Sequence, residues 1–321
     1  MELTRKEFLQ TVAGAAGAAA LATPTATAAV KGKPKRGVSL YSYTGDFGIT
    51  MTLEDCLAEI HEMGMGQEMG LEILADAHIE GYPNPSDAWV KNWWALMKKY
   101  AIRPVEYGHW IDAKLYKGRN LTAKECQPQL TRDIQLANKL GFTIGRTKIP
   151  AGRTGGGGRN FEPAPNWTEI IEMALPVAEK HNFKMCTEWH GPTDLKSKVV
   201  NDFAAWIDKT KTKYFGFNID FSCFQTRPRR DRKEENFVPG NKAEDMVPLL
   251  PYTYCCHAKF WDMSDDLTEY SIPYDEIISV LVKNGWDGYM LSEYEGARDL
   301  YRASDQLRKN HILMRKCLGE T

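Results

Sequence analysis

This sequence predicts an α/β protein folded as one (β/α)8 barrel, and three observations carry that prediction. Eight short apolar runs alternate with amphipathic stretches in which Leu, Ile and Ala recur three and four residues apart. At 321 residues and 43% hydrophobic content, the chain is long enough for one barrel of about 250 residues plus a leader and insertions. Four acidic or imidazole residues fall at the ends of four consecutive runs, where a barrel gathers its functional groups. A doubly wound open sheet is the alternative arrangement of the same elements.

Residues 1–29 stand apart from the rest. A charged stretch (Thr4-Arg5-Lys6-Glu7) precedes an Ala/Gly run from Val12 to Ala22 and the small-residue signal Ala26-Thr27-Ala28. That is the layout of an export signal. It resembles a twin-arginine leader with Arg5-Lys6 in place of two arginines, so the mature protein is expected outside the cytoplasm, in the periplasm. The apolar run is too short to form a membrane span.

The barrel then occupies residues 30–321. Strands are expected at 37–43, 70–75, 103–109, 143–149, 184–190, 215–221, 252–260 and 287–294. Helices lie between them. The stretch 121–141 has helical periodicity, Asn166 or Thr168 can cap 168–181, and Gly285 can end the helix that begins near Tyr274. Two loops are long: the Gly-rich 153–159 after the fourth strand, read as a mobile rim, and 225–240 after the sixth. The charge run 227–235 within the second is read as a solvated flap.

Composition excludes several functions. A net charge of −1 and a pI near 6.7 give no basic face for nucleic acid. The seven cysteines are odd in number and form no CxxC pair, which supports free thiols over a zinc ribbon or a disulfide framework. Cys255 and Cys256 are adjacent and should face opposite sides of their strand.

The chemistry concentrates at the strand ends. Glu188, Asp220, His257 and Glu293 end or nearly end the fifth to eighth strands and should converge over one quadrant of the barrel opening. Three carboxylates and an imidazole in one place repel each other unless a cation sits among them. Oxygen and nitrogen donors without thiolates suit one divalent ion, with Mn²⁺ first and Mg²⁺, Co²⁺, Fe²⁺ or Zn²⁺ as alternatives. His190 lies two residues past Glu188, on the same side of its strand, where it can serve as general acid or base. Lys259 stands in the same relation to His257 and could hold a substrate oxygen or pair with Glu188 or Asp220. Glu72, Tyr107, His109 and Lys148 are candidates for substrate contacts. His61, His181 and His311 are placed on outer helices and read as inert.

Taken with the segments HIEGYPNP (78–85), DAKLYKGRNL (112–121), EWHGPT (188–193), HAKFWDM (257–263) and SEYEG (292–296), this ligand pattern resembles the xylose-isomerase-like TIM-barrel superfamily. Within it, the chain is most similar to the catalytic subunits of bacterial C-glycoside deglycosidases. The resemblance implies a ligand set of Glu188, Asp220, His257 and Glu293, with His190 handling the proton. It further implies a 3-oxo-glycoside substrate supplied by a separate oxidoreductase, and a small second subunit or a homo-oligomer. The expected reaction is a lyase step: removal of the C2 proton and β-elimination of the aglycone. The alternative is an epimerase or isomerase using Glu188 and Glu293 as an acid/base pair. A lesser alternative is an exported carbohydrate-binding barrel without activity.

Overall fold

The computed structural model of the protein describes residues 32–109, 119–147, 163–230, 235, 237–298 and 302–320. The leader at 1–29, the Gly-rich loop at 153–159 and Lys148 lie outside them.

Eight parallel strands close into a barrel in sequence order. They are β1 (Lys35–Ser39), β2 (Met69–Leu74), β3 (Ile102–His109), β4 (Ile144–Thr147), β5 (Lys184–Trp189), β6 (Phe215–Asp220), β7 (Thr253–Phe260) and β8 (Tyr289–Tyr294). Closure comes from β8 pairing with β1, with Gly37 opposite Leu291. The first strand ends four residues sooner than predicted. Leu40–Tyr43 wind into a 3-10 turn because the Ser39 hydroxyl accepts the Tyr41 N–H and caps it.

Among the described residues, seven longer α-helices cover the barrel: α1 (Leu53–Gly64), α2 (Asp87–Lys99), α3 (Ala123–Lys139), α4 (Trp167–Lys180), α5 (Lys198–Thr210), α6 (Tyr274–Lys283) and α7 (Ala303–Leu318), and a single helical turn, Ala75–His78, follows β2. Thr52 and Thr122 start α1 and α3 through reciprocal bonds with Asp55 and Glu125. Gly285, at φ 66°, follows α6 as expected. The expectation of eight α-helices is corrected at one crossover. Between β6 and β7 the chain forms a 3-10 helix, Ala243–Tyr252, because Pro248 and Pro251 remove the N–H groups an α-helix needs there.

Two bulges change which side chains face the barrel interior. The register between β2 and β3 shifts so that Leu71 faces Pro104 while Glu72 faces Glu106. A second shift sets Phe217 opposite Thr253 and Asn218 opposite Cys255. An extra residue in one strand reverses the in/out alternation beyond it. The main core fills the seam between barrel and helices. A small apolar plug of Val105, Ile144, Cys186, Cys255, Tyr289 and Leu291 fills the barrel's interior floor. Cys255 therefore faces inward and Cys256 outward into the main core, and all described cysteines are free thiols.

Candidate metal centre

Above the apolar plug, the barrel interior turns from hydrocarbon to charge. Glu188, Asp220, His257 and Glu293 each offer one ligand-type atom, and these atoms all lie within 4.8 Å of one another. The strands set this convergence. Glu188 pairs in register with Asn218, Asp220 with His257, and Lys259 with Glu293, so side chains two residues apart share one wall of the interior. His257 Nδ1 sits 2.8 Å from Glu188 Oε1 and 3.0 Å from Glu293 Oε2. Its Nε2 sits 3.0 Å from Glu106 Oε2 and 3.2 Å from Glu72 Oε2.

Two fixed cations brace the carboxylates. Arg146 spans Glu72 and Glu188, each at 2.9 Å. The Lys259 ammonium lies 3.2 Å from Asp220, 3.1 Å from Glu293 and 3.2 Å from Glu295. Burial alone would discharge His257 and Lys259, but the surrounding carboxylates outweigh it and hold both well above their ordinary values. Burial likewise opposes ionisation of Glu188, yet Arg146 and His257 hold it well below the usual carboxylate range. Glu293 is held low in the same way by Lys259 and His257.

The donor set fits a divalent cation on two counts. Glu72, Glu106, Glu188, Asp220 and Glu293 share Arg146, Lys259 and an imidazolium, and Glu295 also draws on Lys259, which leaves an excess of about two to three negative charges around a low-dielectric interior. In addition, Asp220 Oδ2 and Glu293 Oε2 are buried and accept no hydrogen bond of good geometry, although buried oxygens ordinarily do. An ion among the four residues would satisfy both conditions, and all of its ligands would be oxygen or nitrogen.

His190 stands beside this set, about one-third exposed. Its Nδ1 is 2.6 Å from the Gly191 carbonyl, which can only accept, so Nδ1 carries the hydrogen. Its Nε2 is 3.1 Å from Lys259 Nζ and 3.9 Å from Asp220 Oδ2. An ammonium can only donate, so the Nε2 lone pair accepts from Lys259.

The other sequence-derived candidates divide. Glu72 lies inside the barrel, fully buried and bound to Arg146, below the opening where a substrate contact was expected. Tyr107 is a correction. The β3 bulge turns it outward, where its hydroxyl donates to Asp133 of α3 at 3.2 Å and its ring packs edge-on against Phe142. His109 ends β3, and its side chain lies outside the described residues, as does Lys148. His311 is also corrected: it is buried and its Nδ1 accepts from Arg36 at 3.2 Å. His61 is exposed on α1 and His181 is half-buried at the C-terminal cap of α4. In the flap, Arg229 is buried and stacks over Trp261 at 4.2 Å, so the run from 227 is not wholly solvated.

Sequence reasoning missed Glu106, Arg146, Asn218 and Glu295. The two-residue spacing that found His190 and Lys259 also points from Glu293 to Glu295 and from Lys148 back to Arg146. No such signal exists for Glu106, whose inward orientation depends on the bulge.

The sequence and fold have relatives. The family described as xylose isomerase-like TIM barrel matches residues 57–317. A C-glycoside deglycosidase alpha subunit from Arthrobacter globiformis is 26% identical, aligned over 88% of this chain and 92% of its own. A 3'-dehydrocarminate deglycosidase alpha subunit from a Microbacterium species is 23% identical, over 89% and 96%. D-psicose 3-epimerase from Clostridium cellulolyticum, solved with D-tagatose, superposes with a TM-score of 0.61 at 16% identity, over 89% of this chain and all of that one.

Proposed function

The chain belongs to the xylose isomerase-like TIM-barrel family, and on that premise we propose that it is a divalent-metal-dependent lyase that cleaves 3-oxo-glycosides. The reading rests on one observation above all: His190 carries its hydrogen on Nδ1 and accepts from the Lys259 ammonium at Nε2, beside the ligand set. The relatives named as deglycosidase alpha subunits support the substrate class.

Glu188, Asp220, His257 and Glu293 would hold the ion, with Mn²⁺ the first choice. Such an ion supplies Lewis acidity, drawing electrons from the sugar's C3 ketone and acidifying the hydrogen on C2. The protein's own groups do the rest. His190 Nε2 accepts the C2 proton. The electrons of that C–H bond form the C1=C2 double bond, and the bond from C1 to the aglycone breaks with its electron pair. The departing aglycone takes a proton from Lys259 or from water. Lys259 first hydrogen-bonds a substrate oxygen in place of His190, which frees the lone pair. Glu188 and Glu293 are both engaged by cations on the protein, Arg146 and Lys259, which favours ligand roles for them over an acid/base pair. We further propose that the reaction takes place after export, that a separate oxidoreductase supplies the 3-oxo sugar, and that a smaller second subunit joins the chain, as the alpha-subunit designation of the relatives suggests.

The test uses the full chain with Mn²⁺ and 3-oxo-glucosides, O- and C-linked, in D₂O, with aglycone release and C2 exchange followed by NMR. Release should depend on the metal and fall about 10²- to 10⁴-fold in His190→Ala, with bound metal unchanged. Exchange or a new epimer without release would replace the lyase with an epimerase. Neither product, with metal bound, would overturn both.

A further inference from the structure

We propose that Glu106 is a positioning residue of the metal centre: it takes the Nε2–H of His257 and leaves Nδ1 as the nitrogen that ligates the ion. The inference rests on the reading of Glu188, Asp220, His257 and Glu293 as the ligand set.

The hydrogen-bond pattern around Glu106 determines who donates. Asn218 Oδ1 accepts the backbone N–H of His257 at 3.0 Å, so the other end of its amide must be the NH₂ group. That NH₂ lies 3.1 Å from both Glu106 oxygens. The Cys186 thiol adds a third contact, 3.4 Å from Oε1. Glu106 is thus surrounded by donors and is a pure acceptor. Its remaining neighbour, His257 Nε2 at 3.0 Å, completes the set by donating its hydrogen. The imidazolium would give up its Nδ1 proton to an incoming ion and keep the Nε2 hydrogen on Glu106, and Nδ1 is the nitrogen facing Glu188 and Glu293.

The arrangement is built rather than incidental. Asn218 ties the backbone of His257 to the carboxylate that holds its ring, so strand, ring and acceptor are fixed together. Glu106 faces inward only because of the bulge beside Val105, which the β2–β3 register shift records. A carboxylate behind a metal-bound histidine fixes the tautomer and ring angle and raises ligand basicity. Glu72 Oε2 approaches the same nitrogen at 3.2 Å, but without good hydrogen-bond geometry. The competing use of Glu72, Glu106 and His257 would be a second, deeper ion bound through Nε2. It would have to displace the hydrogen from Nε2 and sit beside the Arg146 guanidinium.

The test titrates Mn²⁺, and separately Co²⁺ with its visible spectrum, into the full chain and into Glu106→Gln and Asn218→Ala. In Glu106→Gln the new amide would set NH₂ against the NH₂ of Asn218, so the acceptor for His257 is lost or misplaced. We expect one Mn²⁺ per wild-type chain, a 10- to 100-fold weaker affinity in Glu106→Gln and an altered Co²⁺ spectrum. Asn218→Ala, which keeps the carboxylate but removes its brace, should weaken binding less, and it carries the test if Glu106→Gln fails to fold. Wild-type affinity and spectrum in the folded variants would overturn the positioning role while leaving the ligand set intact. Two ions per wild-type chain would overturn it in favour of Nε2 ligation. No ion in the wild type would bring down the ligand-set reading and this inference with it.

Discussion

At the scale of single residues, the seam between β3 and α3 shows how one side chain's surroundings separate structural from chemical roles. The Asp133 carboxylate is fully buried and takes the hydroxyls of Tyr82 and Tyr107 at 2.9 and 3.2 Å, with Arg132 at 3.0 Å. Burial and the nearby Asp133 push the Tyr107 hydroxyl far above its ordinary value, so it stays a donor at any working pH. Tyr107→Phe should therefore cost about 1 kcal/mol in urea unfolding, since Asp133 keeps two other donors. It should leave turnover of a 3-oxo-glycoside unchanged, whereas a large loss of turnover would return Tyr107 to the substrate site. Glu106, one residue earlier, has the opposite role for a reason no local pattern announces. A place late in the third strand made Tyr107 a candidate, and one extra residue in β3 turns Glu106 inward and Tyr107 outward. The clustering of Glu188, Asp220, His257 and Glu293 was legible because it needs only strand ends and residue type. The spacing from Lys148 marks the position of Arg146 but not its partners, because Glu72 and Glu188 lie far from it in sequence and meet it only once the barrel closes.

Among elements, the long segment after β6 carries the largest difference between expectation and structure. Its proline-bearing crossover is a 3-10 helix, and the described start of its charged stretch, Arg227–Arg230, is pinned rather than free. Arg229 stacks on Trp261 just past β7 and donates to the Glu295 carbonyl at 3.2 Å just past β8. Arg230 and Arg227 lie over Tyr270 at 4.4 and 5.2 Å, and Thr226 donates its N–H to the Ser271 carbonyl at 2.8 Å. A row of like charges reads as solvated in sequence because the aromatic rings that receive it come from another loop. The stack on Trp261 is largely desolvated and so belongs to the stronger end of cation–π contacts, about 1–2 kcal/mol. Arg229→Ala should raise the exchange rate of the Thr226 amide about 5- to 30-fold, the factor to which that amount of local stability corresponds. The melting temperature should move little. Unchanged exchange at Thr226 would mean that the segment is held without Arg229. The eight strands themselves were legible to within a few residues, because parallel strands buried on both faces leave continuous apolar runs.

For the whole molecule, buried neutral histidines set the acid limit of stability. His78 accepts the Leu74 N–H through Nδ1 at 2.9 Å and meets Phe47 edge to ring at 4.8 Å, a place for an uncharged imidazole. Burial drives its pKa down to about 4, although Glu72 and Asp76 pull the other way. His311 is held well below its ordinary value by burial and then by Arg36, which donates to it. A histidine whose folded pKa is depressed contributes stability that is complete above its unfolded value near 6.5 and is lost as pH falls toward the folded value. The unfolded chain takes up the proton first, so unfolding is favoured with each step of acidification. For His78 the window runs from about pH 6.5 to about pH 4, and the loss across it is on the order of 3 kcal/mol. His311 adds to the same limb with the same sign. His78→Gln keeps an acceptor for Leu74 but cannot be protonated. Its unfolding free energy should therefore fall less steeply between pH 6.5 and 4 than that of the wild type, by up to about 1.4 kcal/mol per pH unit. Denaturant curves collected at half-unit steps on the metal-free protein would show it, and parallel slopes in the two proteins would mean that His78 is already charged in the folded state. A barrel interior crowded with carboxylates can thus coexist with an acid-sensitive fold, because His78 and His311 lie in the β2 and α7 surroundings rather than among the clustered carboxylates.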